Sequence, residues 1–239
     1  MLRMFARPAT GGCNRSYCDG GDCRRDRPRT TRLCASPICL NIVWTIHFVS
    51  IKLTTSAIML KQPRIRAATP ADAEPLAALA EQTFRDTFAD DNSAEDMEAY
   101  VRDSFSLDRI RAELADDANT FLLAFVDGGE QPNGYAKLRT GTTAPSVTGP
   151  DPVELHRLYV DRRAIGHGVG AALMRASLEA ARSAGHRTLW LGVWERNAGA
   201  ISFYQRWRFE TVGDHKFRLG SDHQTDLIMA RPVPGAARR

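Results

Sequence analysis

Gly166-His167-Gly168-Val169-Gly170 is the stretch of sequence that decides the fold. It follows an apolar, strand-like run at residues 153–160 and precedes a helix-like run at residues 171–184. Three glycines within five residues let backbone amides approach a ligand without interference from a Cβ atom. Because amides that converge at a helix N-terminus form an anion site, this stretch predicts a loop that binds a phosphate or a pyrophosphate.

The segments on either side of this loop alternate between helical and strand patterns, without internal repeats. Helices come first, strands and helices are then mixed, and two strands close the pattern, which is typical of an α+β domain with a mixed sheet. The predicted strands are residues 65–68, 120–126, 134–139, 153–160, 188–193, 209–213 and 224–230, and the predicted helices begin near Thr69, Ser93, Leu107, Ala171 and Ala198.

Charge and cysteine are concentrated at the N-terminus. The whole chain has a formal net charge of +4, but residues 1–58 hold nine basic and three acidic residues, so the remaining 181 residues carry −2. A nucleic-acid partner is therefore not expected for the globular part. The odd, clustered set of cysteines argues against a disulfide framework there, and it contains no C-x-x-C pair, so we expect no metal. The cysteines are Cys13, Cys18, Cys23, Cys34 and Cys39.

Residues 1–58 also differ from the rest of the chain in pattern. Their apolar run, residues 40–51, is shorter than the roughly 20 residues that a membrane span needs. We interpret residues 1–58 as a disordered extension or a wrongly assigned upstream start, residues 63–233 as the folded domain and residues 234–239 as a tail. We expect a cytoplasmic protein with no membrane partner.

A dinucleotide-binding loop is one alternative, since Gly166, Gly168 and Ala171 also fit the pattern G-x-G-x-x-A. Residues 161–165 argue against it, because they separate the predicted strand from the glycines, whereas the turn of a Rossmann fold follows its strand directly. A P-loop is excluded, because no Gly-Lys-Ser/Thr follows the glycines.

The residues downstream of the loop distinguish the remaining cofactors. Asn197 and the run Ile201-Ser202-Phe203-Tyr204 follow the next predicted strand. With the strand, glycine loop and helix before them, they resemble the GNAT superfamily of acetyl-CoA-dependent N-acetyltransferases over residues 63–233. The resemblance implies a single α+β domain with a GNAT-like, mixed and mostly antiparallel central sheet flanked by helices. Two positions depart from the family pattern: Ile165 stands where Gln or Arg is usual, and Arg208 where glycine is common.

Five shorter motifs are narrower than the superfamily. They resemble those of the PaiA-type polyamine acetyltransferases, which implies a primary-amine acceptor such as spermidine or spermine that attacks the acetyl group directly. The motifs are Phe84-Arg85-Asp86-Thr87-Phe88, Asp91-Asn92, Glu154-Leu155-His156-Arg157-Leu158-Tyr159-Val160, Leu189-Trp190-Leu191-Gly192-Val193-Trp194-Glu195 and Gln224-Thr225-Asp226-Leu227.

Acetyl-CoA is the cosubstrate that the resemblance implies. The glycine loop would hold its pyrophosphate, and the strand before the loop would splay from its neighbour and bind the pantetheine arm through free backbone groups. The amide of Val160 would polarise the thioester carbonyl. Asn197 matches a residue that contacts CoA near its sulfur, and it also suits a helix N-cap. The residues expected to bind acetyl-CoA are Leu158, Tyr159, Val160, Ile165, Gly166, His167, Gly168, Val169, Gly170 and Asn197.

Tyr204 is the expected general acid. It matches the family tyrosine that protonates the departing thiolate. The alternative is an aromatic residue of the core, because Ile201, Tyr204 and Trp207 share one face of the predicted helix.

Glu154 is the expected general base. It matches a strand glutamate that removes the proton of the amine, often through water, and its alternative role is an ordinary solvated strand charge. Strand alternation predicts that Glu154, His156 and Leu158 lie on one face if no bulge intervenes, with His156 as a second candidate for the base.

The acceptor itself is the least determined part of the site. Asp86, Asp90, Asp91 and Asp96 make the early helical region acidic, which suits a polycation and equally fits solvated helix ends. A protein, peptide or antibiotic amine stays open as the acceptor, as does a non-catalytic acyl-CoA-binding regulatory protein on the same fold. Dimers are common among family members, so a homodimer is one expected state.

Overall fold

The computed structural model describes residues 62–126, 128–219 and 222–235. The predicted extension at residues 1–58 and most of the predicted tail lie outside these residues. The described strands are β1 (Arg64–Ala67), β2 (Asn119–Phe125), β3 (Gly134–Arg139), β4 (Pro152–Val160), β5 (Thr188–Trp194), β6 (Glu210–Leu219) and β7 (Asp222–Pro232). The described α-helices are α1 (Ala73–Phe88), α2 (Ala94–Phe105), α3 (Leu107–Ala115), α4 (Val169–Ser183) and α5 (Ala198–Arg206).

These strands form one sheet in the order β1-β2-β3-β4-β5-β7-β6. Every neighbouring pair is antiparallel except β4 and β5, which are parallel. The exception follows from α4, since a helical crossover returns the chain to the same edge of the sheet. The predicted α+β domain with a mixed, mostly antiparallel sheet is confirmed. The last two strands are longer than predicted, at 210–219 and 222–232.

Helices cover both faces of the sheet. On one face, Leu158 and Val160 of β4 pack with Leu173 of α4 and Tyr204 of α5. On the other face, aromatic side chains of α1 and α2 pack against Tyr159. A sheet buried on both faces needs nearly continuous apolar strands, and all seven residues of β5 are buried.

A β-bulge interrupts β4 at His156. Leu155 pairs with Leu138 of β3, but the next pair joins Arg157 to Lys137, so His156 is the additional residue. The bulge reverses the alternation of faces beyond it. Glu154, His156 and Leu158 were predicted to share one face only if no bulge intervened, and this condition is not met: Leu158 packs in the core beneath α4, whereas the side chain of Glu154 lies on the opposite face with that of Arg139.

A buried charge cluster fixes α3 to the bulged part of the sheet. Glu113 of α3 is 6 % exposed and accepts hydrogen bonds from Lys137 Nζ at 3.0 Å and Arg157 Nη1 at 2.8 Å. Burial is the main cause that lowers the pKa of Lys137 to about 8. Because loss of one partner from such a cluster would leave a buried charge uncompensated, the three residues hold α3, β3 and β4 in one arrangement.

The start of α1 shows how a proline is accommodated. Thr69 precedes a short 3-10 turn at Pro70–Asp72, and α1 begins at Ala73. Pro75 then lies in the first turn of α1, where a backbone N–H has no intrahelical acceptor and its absence costs little.

Arg208 stands at a position that requires a left-handed backbone. The amide of Arg208 donates to Gln205 O at 2.8 Å and that of Phe209 donates to Tyr204 O at 3.0 Å, which is the Schellman pattern of a helix C-terminus. The φ angle of Arg208 is accordingly +63°. The chain keeps the turn that glycine usually makes, with a residue for which that conformation is strained.

We therefore expect Arg208→Gly to stabilise the fold by about 1 kcal/mol, because glycine adopts this φ without strain. Urea denaturation of the two proteins measures the change. Arg175→Gly is the matched control: Arg175 is exposed within α4, where the same substitution should cost about 1 kcal/mol. A less stable Arg208→Gly protein would show that contacts of the arginine side chain outweigh the backbone strain.

Candidate functional site

Strands β4 and β5 separate after a short pairing. They pair only at Pro152 with Thr188, Val153 with Leu189 and Glu154 with Trp190, although β4 continues to Val160. Within the described strands, the edge of β4 from residue 155 to residue 160 has no strand opposite it. Its outward N–H and C=O groups form a row that an extended, amide-containing chain can pair with.

The glycine loop begins one short turn after β4. Gly166 and Gly168 have φ angles of +88° and +78°, and a Cβ atom built on either would meet nothing within 4 Å. The glycines are needed for their backbone conformation and leave open space in front of the loop.

Helix α4 begins directly at this loop, with Gly168 as its N-cap. It starts at Val169, two residues before the predicted start at 171. Ala172 donates the first backbone bond into the helix, to Gly168 O at 2.9 Å, so the first-turn amides before it have no intrahelical acceptor. Amides in that position favour a bound anion such as a pyrophosphate.

Polar contacts hold the approach to the loop in place. Asp161 accepts from the amide of Arg163 at 2.8 Å and from its guanidinium at 2.7 Å, and these bonds lower the pKa of Asp161. Arg162 donates to Asp86 O at 2.8 Å, near the end of α1. The loop is thereby connected to the helices on the other face of the sheet.

A cavity of about 490 Å³ opens between the loop and α5. Six of the ten predicted acetyl-CoA-binding residues line it, whereas Leu158, Tyr159, His167 and Asn197 do not. The predicted residues in the lining are Val160, Ile165, Gly166, Gly168, Val169 and Gly170, and the remaining lining residues are Ala164, Ala171, Gly199, Ser202, Phe203 and Arg206.

One face of α5 is the part of the lining that was not predicted. Gly199, Ser202, Phe203 and Arg206 are three or four residues apart and so share a helix face. That spacing is visible in the sequence, but only the packing of α5 beside the glycine loop shows that this face meets the cavity. Arg206 adds a cation there, with its guanidinium 5.9 Å from the ring centre of Phe203.

Tyr204 lies directly behind this face and does not line the cavity. Its ring is fully buried between Phe203 and Phe209, and its hydroxyl forms no hydrogen bond within the described part of the chain. Burial raises the pKa of Tyr204 well above its ordinary value, so the hydroxyl keeps its proton at neutral pH. Tyr204 belongs to the core, as the alternative interpretation held, and it also carries an unused proton donor.

Asn197 acts as the N-cap of α5. Its side-chain oxygen accepts from the amide of Ala200 at 3.0 Å. This contact fixes the start of the helix that carries Tyr204 and the cavity-lining face, so Asn197 positions both.

Glu154 is buried at the closed end of the opening. It is 4 % exposed, and its Oε2 accepts from Arg139 Nε at 3.0 Å, Arg139 Nη2 at 2.7 Å and Thr142 Oγ1 at 2.9 Å. A solvated strand charge, the alternative interpretation, does not describe this environment. The carboxylate is held by a cation on the neighbouring strand.

Among the described residues, no group of three or more His, Cys, Asp or Glu side chains is arranged to hold a metal ion. No described helix is both long and apolar enough to cross a membrane.

Comparison with known proteins agrees with this geometry. The sequence profile of the acetyltransferase (GNAT) family matches residues 80–209. The chain is 35% identical over 163 residues to an uncharacterised N-acetyltransferase of Mycobacterium tuberculosis (strain ATCC 25618 / H37Rv), covering 68% of this chain and 98% of the relative. It is 33% identical over 156 residues to an uncharacterised N-acetyltransferase from the pepI 3′ region of Lactobacillus delbrueckii subsp. lactis, covering 65% and 89%.

Solved structures share the fold. The PaiA N-acetyltransferase from Thermoplasma acidophilum, solved in complex with coenzyme A, superposes with a TM-score of 0.58 at 24% identity, covering 72% of this chain and 99% of that one. The profile match runs from α1 through the glycine loop to the end of α5, so it includes the elements that form the cavity. The chain therefore belongs to the GNAT family of acetyltransferases, which confirms the predicted acetyl-CoA-dependent N-acetyltransferase.

Proposed function

We propose that this enzyme transfers the acetyl group of acetyl-CoA to a primary amine by direct attack, and that the amine is a polyamine such as spermidine or spermine. The observation that carries the proposal is the opening between β4 and β5, which leads from the glycine loop towards a paired, closed end. This opening suits a cosubstrate with a pyrophosphate at one end, amides along its arm and a thioester at the other.

Acetyl-CoA fits the groups that this chain presents. The first-turn amides of α4 and the open space before Gly166 and Gly168 accommodate the pyrophosphate, and Arg206 supplies a nearby positive charge. The edge of β4 that turns away from β5, at Leu158, Tyr159 and Val160, pairs with the pantetheine amides in this proposal. The amide of Val160 then polarises the thioester carbonyl as an oxyanion donor.

Tyr204 is the proposed general acid. When the amine attacks the acetyl carbon and the carbon–sulfur bond breaks, the departing thiolate needs a proton. The buried, unpaired hydroxyl of Tyr204 donates that proton, and its raised pKa ensures that the proton is present. Its neighbour in the chain, Phe203, lines the cavity.

Glu154 is the proposed general base, as the resemblance implies, but one of its two carboxylate oxygens is already occupied by hydrogen bonds. Its Oε2 accepts three hydrogen bonds, so only Oε1 is available to a proton carried by water. The adjoining Arg139 stabilises the carboxylate and weakens it as a base.

The polyamine acceptor is supported by charge near the opening. Asp90 is exposed between α1 and α2, Glu95 is exposed in the first turn of α2, and the contact of Arg162 with Asp86 O joins this region to the glycine loop. A polycation gains from carboxylates along its approach. The cytoplasmic location and the homodimer stay predictions.

Release of the CoA thiol from acetyl-CoA by the full-length protein tests the acceptor. We expect turnover with spermidine and spermine to exceed turnover with amino acids and peptides with a free N-terminus, because the polyamines carry several cations to the acidic approach, and to exceed turnover with aminoglycosides, whose several cations are held on rigid rings. Turnover confined to a peptide or an aminoglycoside would refute the polyamine assignment. Binding of acetyl-CoA without turnover on any amine would favour a non-catalytic acyl-CoA-binding protein.

Tyr204→Phe should lower kcat by about 100-fold while the Kd for acetyl-CoA stays unchanged, because the proton donor is lost and the ring is kept. Steady-state kinetics and calorimetric titration measure the two quantities. Tyr135→Phe is the matched control: its hydroxyl is equally buried and unpaired among the described residues, but it lies on the opposite face of the sheet. Equal losses in both variants would assign Tyr204 a structural role only.

Gly168→Ala should weaken binding of acetyl-CoA by about 10-fold or more, since a methyl group enters the space in front of the loop and strains its backbone. Calorimetric titration with CoA gives the affinity. Gly141→Ala is the control, because Gly141 has a φ of +75°, also with nothing within 4 Å, and lies outside the cavity lining. An unchanged affinity in Gly168→Ala would contradict the placement of the pyrophosphate.

A further inference from the structure

Gly192 lies in the middle of the buried strand β5, where neither backbone conformation nor packing requires a glycine. Its φ is outside the left-handed region, and β5 pairs with β7 without a register shift. A Cβ atom built on it would meet nothing closer than Asp226 Oδ2 at 3.7 Å and Ile228 Cδ1 at 3.8 Å, which are ordinary contacts. Because glycine weakens a strand, a glycine without such a need indicates that a ligand approaches the backbone closely.

The missing side chain leaves a gap between two tryptophans. Leu191 and Val193 pack in the core beneath α4 and α5, so the alternate residues of β5 face the other side of the sheet. Trp194 accordingly packs with the aromatic side chains of α1 and α2. We call this gap the Gly192 notch, and it is bordered by Trp190, Trp194, Asp226 and Ile228.

Asp226 gives the notch a negative charge. It pairs in register with Trp194, so the two side chains lie on the same face of the sheet. The residue is only 4 % exposed, and its Oδ2 lies over Gly192. A buried carboxylate beside indole rings favours an alkylammonium ion, which it binds by charge and through the faces of the rings.

The notch borders the opening between β4 and β5. Pairing of the two strands ends at Trp190, so the part of β5 from Gly192 to Trp194 lies beside the opening. Trp194 belongs to the same buried cluster as Tyr159, the chain neighbour of Val160. Since the amide of Val160 holds the thioester carbonyl in the proposed function, the notch lies across the opening from the reacting end of the cosubstrate.

The face of the sheet on which the notch lies is the one open to an acceptor. The other face, beneath α4 and α5, is filled by fully buried side chains such as Leu191 and Tyr204. Trp190 is the register partner of the proposed base Glu154 and therefore shares its face. Its Nε1 is buried without a hydrogen bond among the described residues, which indicates that a water or a polar ligand atom lies beside it.

We propose that the Gly192 notch binds a second ammonium of the polyamine acceptor, with Asp226 as its counter-ion, while the amine to be acetylated reaches the thioester in the opening. The inference rests on the proposed function. A monoamine has no second cation and gains nothing from Asp226, so the notch sets the preference for acceptors with more than one amine. Asp226 acts in specificity and takes no proton in the reaction.

Asp226→Asn tests the charge, with thiol release from acetyl-CoA as the assay and spermidine and butylamine as acceptors. We expect the KM for spermidine to rise by about 10-fold or more, because a charged hydrogen bond to the ligand is lost. The KM for butylamine, the kcat and the Kd for acetyl-CoA should stay at their wild-type values. A residue that only supports the fold would not distinguish the two amines.

Asp214→Asn is the matched control. Asp214 lies on the adjacent strand β6 and is exposed, and its register partner Leu227 packs against the core beneath α4 and α5. The side chain of Asp214 therefore points away from the notch. The variant should keep the wild-type KM for both amines.

Gly192→Ala tests the space and does not depend on removing a buried charge. The added methyl group makes only ordinary contacts with the protein, so the urea midpoint should be no lower than that of the wild type. It fills the notch, so the KM for spermidine should rise by about 10-fold and that for butylamine should change less. The proposal is overturned if both variants keep the wild-type KM for spermidine, or if the KM for butylamine rises equally.

Failure of the proposed function would appear separately, as no turnover of any polyamine by the wild-type enzyme. Calorimetric titration of spermidine into the enzyme saturated with CoA then tests the notch without any reaction. We expect spermidine to bind the wild type, and to bind Asp226→Asn and Gly192→Ala about 10-fold more weakly. Equal affinity in all three proteins, or no binding to the wild type, would contradict the proposal.

Discussion

Strand β4 must pair with β3 along its length and yet leave β5 after three residue pairs, and the rest of the site depends on this constraint. Leaving β5 exposes backbone groups in the middle of a seven-stranded sheet, where an unpaired N–H or C=O is costly. In the proposed function, a cosubstrate with amides along its arm satisfies these groups, and the glycine loop at the open end holds its pyrophosphate.

Buried electrostatics keep the bulge in position. Glu113 binds Lys137 and Arg157 on one side of His156, and Glu154 binds Arg139 on the other. Both groups of charges connect β3 with β4 near the register shift, so the two strands cannot slide past each other without leaving a charge unpaired. Burial, together with the nearby positive charges of Arg157, Arg139 and Lys137, lowers the pKa of His156 well below its ordinary value.

The two faces of the sheet differ in the side chains that they bury. The face beneath α4 and α5 is apolar and contains Tyr204, whose burial keeps its proton in place. The face beneath α1, α2 and α3 contains the charged side chains of Glu113 and Arg157.

The sequence alone determined the fold class, the position of the glycine loop and the family, because these depend on local signals: hydrophobic period, the glycines at Gly166 and Gly168, and short motifs around Asn197 and Tyr204. Even Arg208, which departs from the family glycine, keeps the local turn. The tertiary structure decided which face each β4 side chain occupies, since one extra residue at His156 reverses the alternation and no local signal marks it. It also decided that Glu154 is bound by Arg139 and that one face of α5 meets the cavity, because both follow from contacts between segments that are distant in the chain.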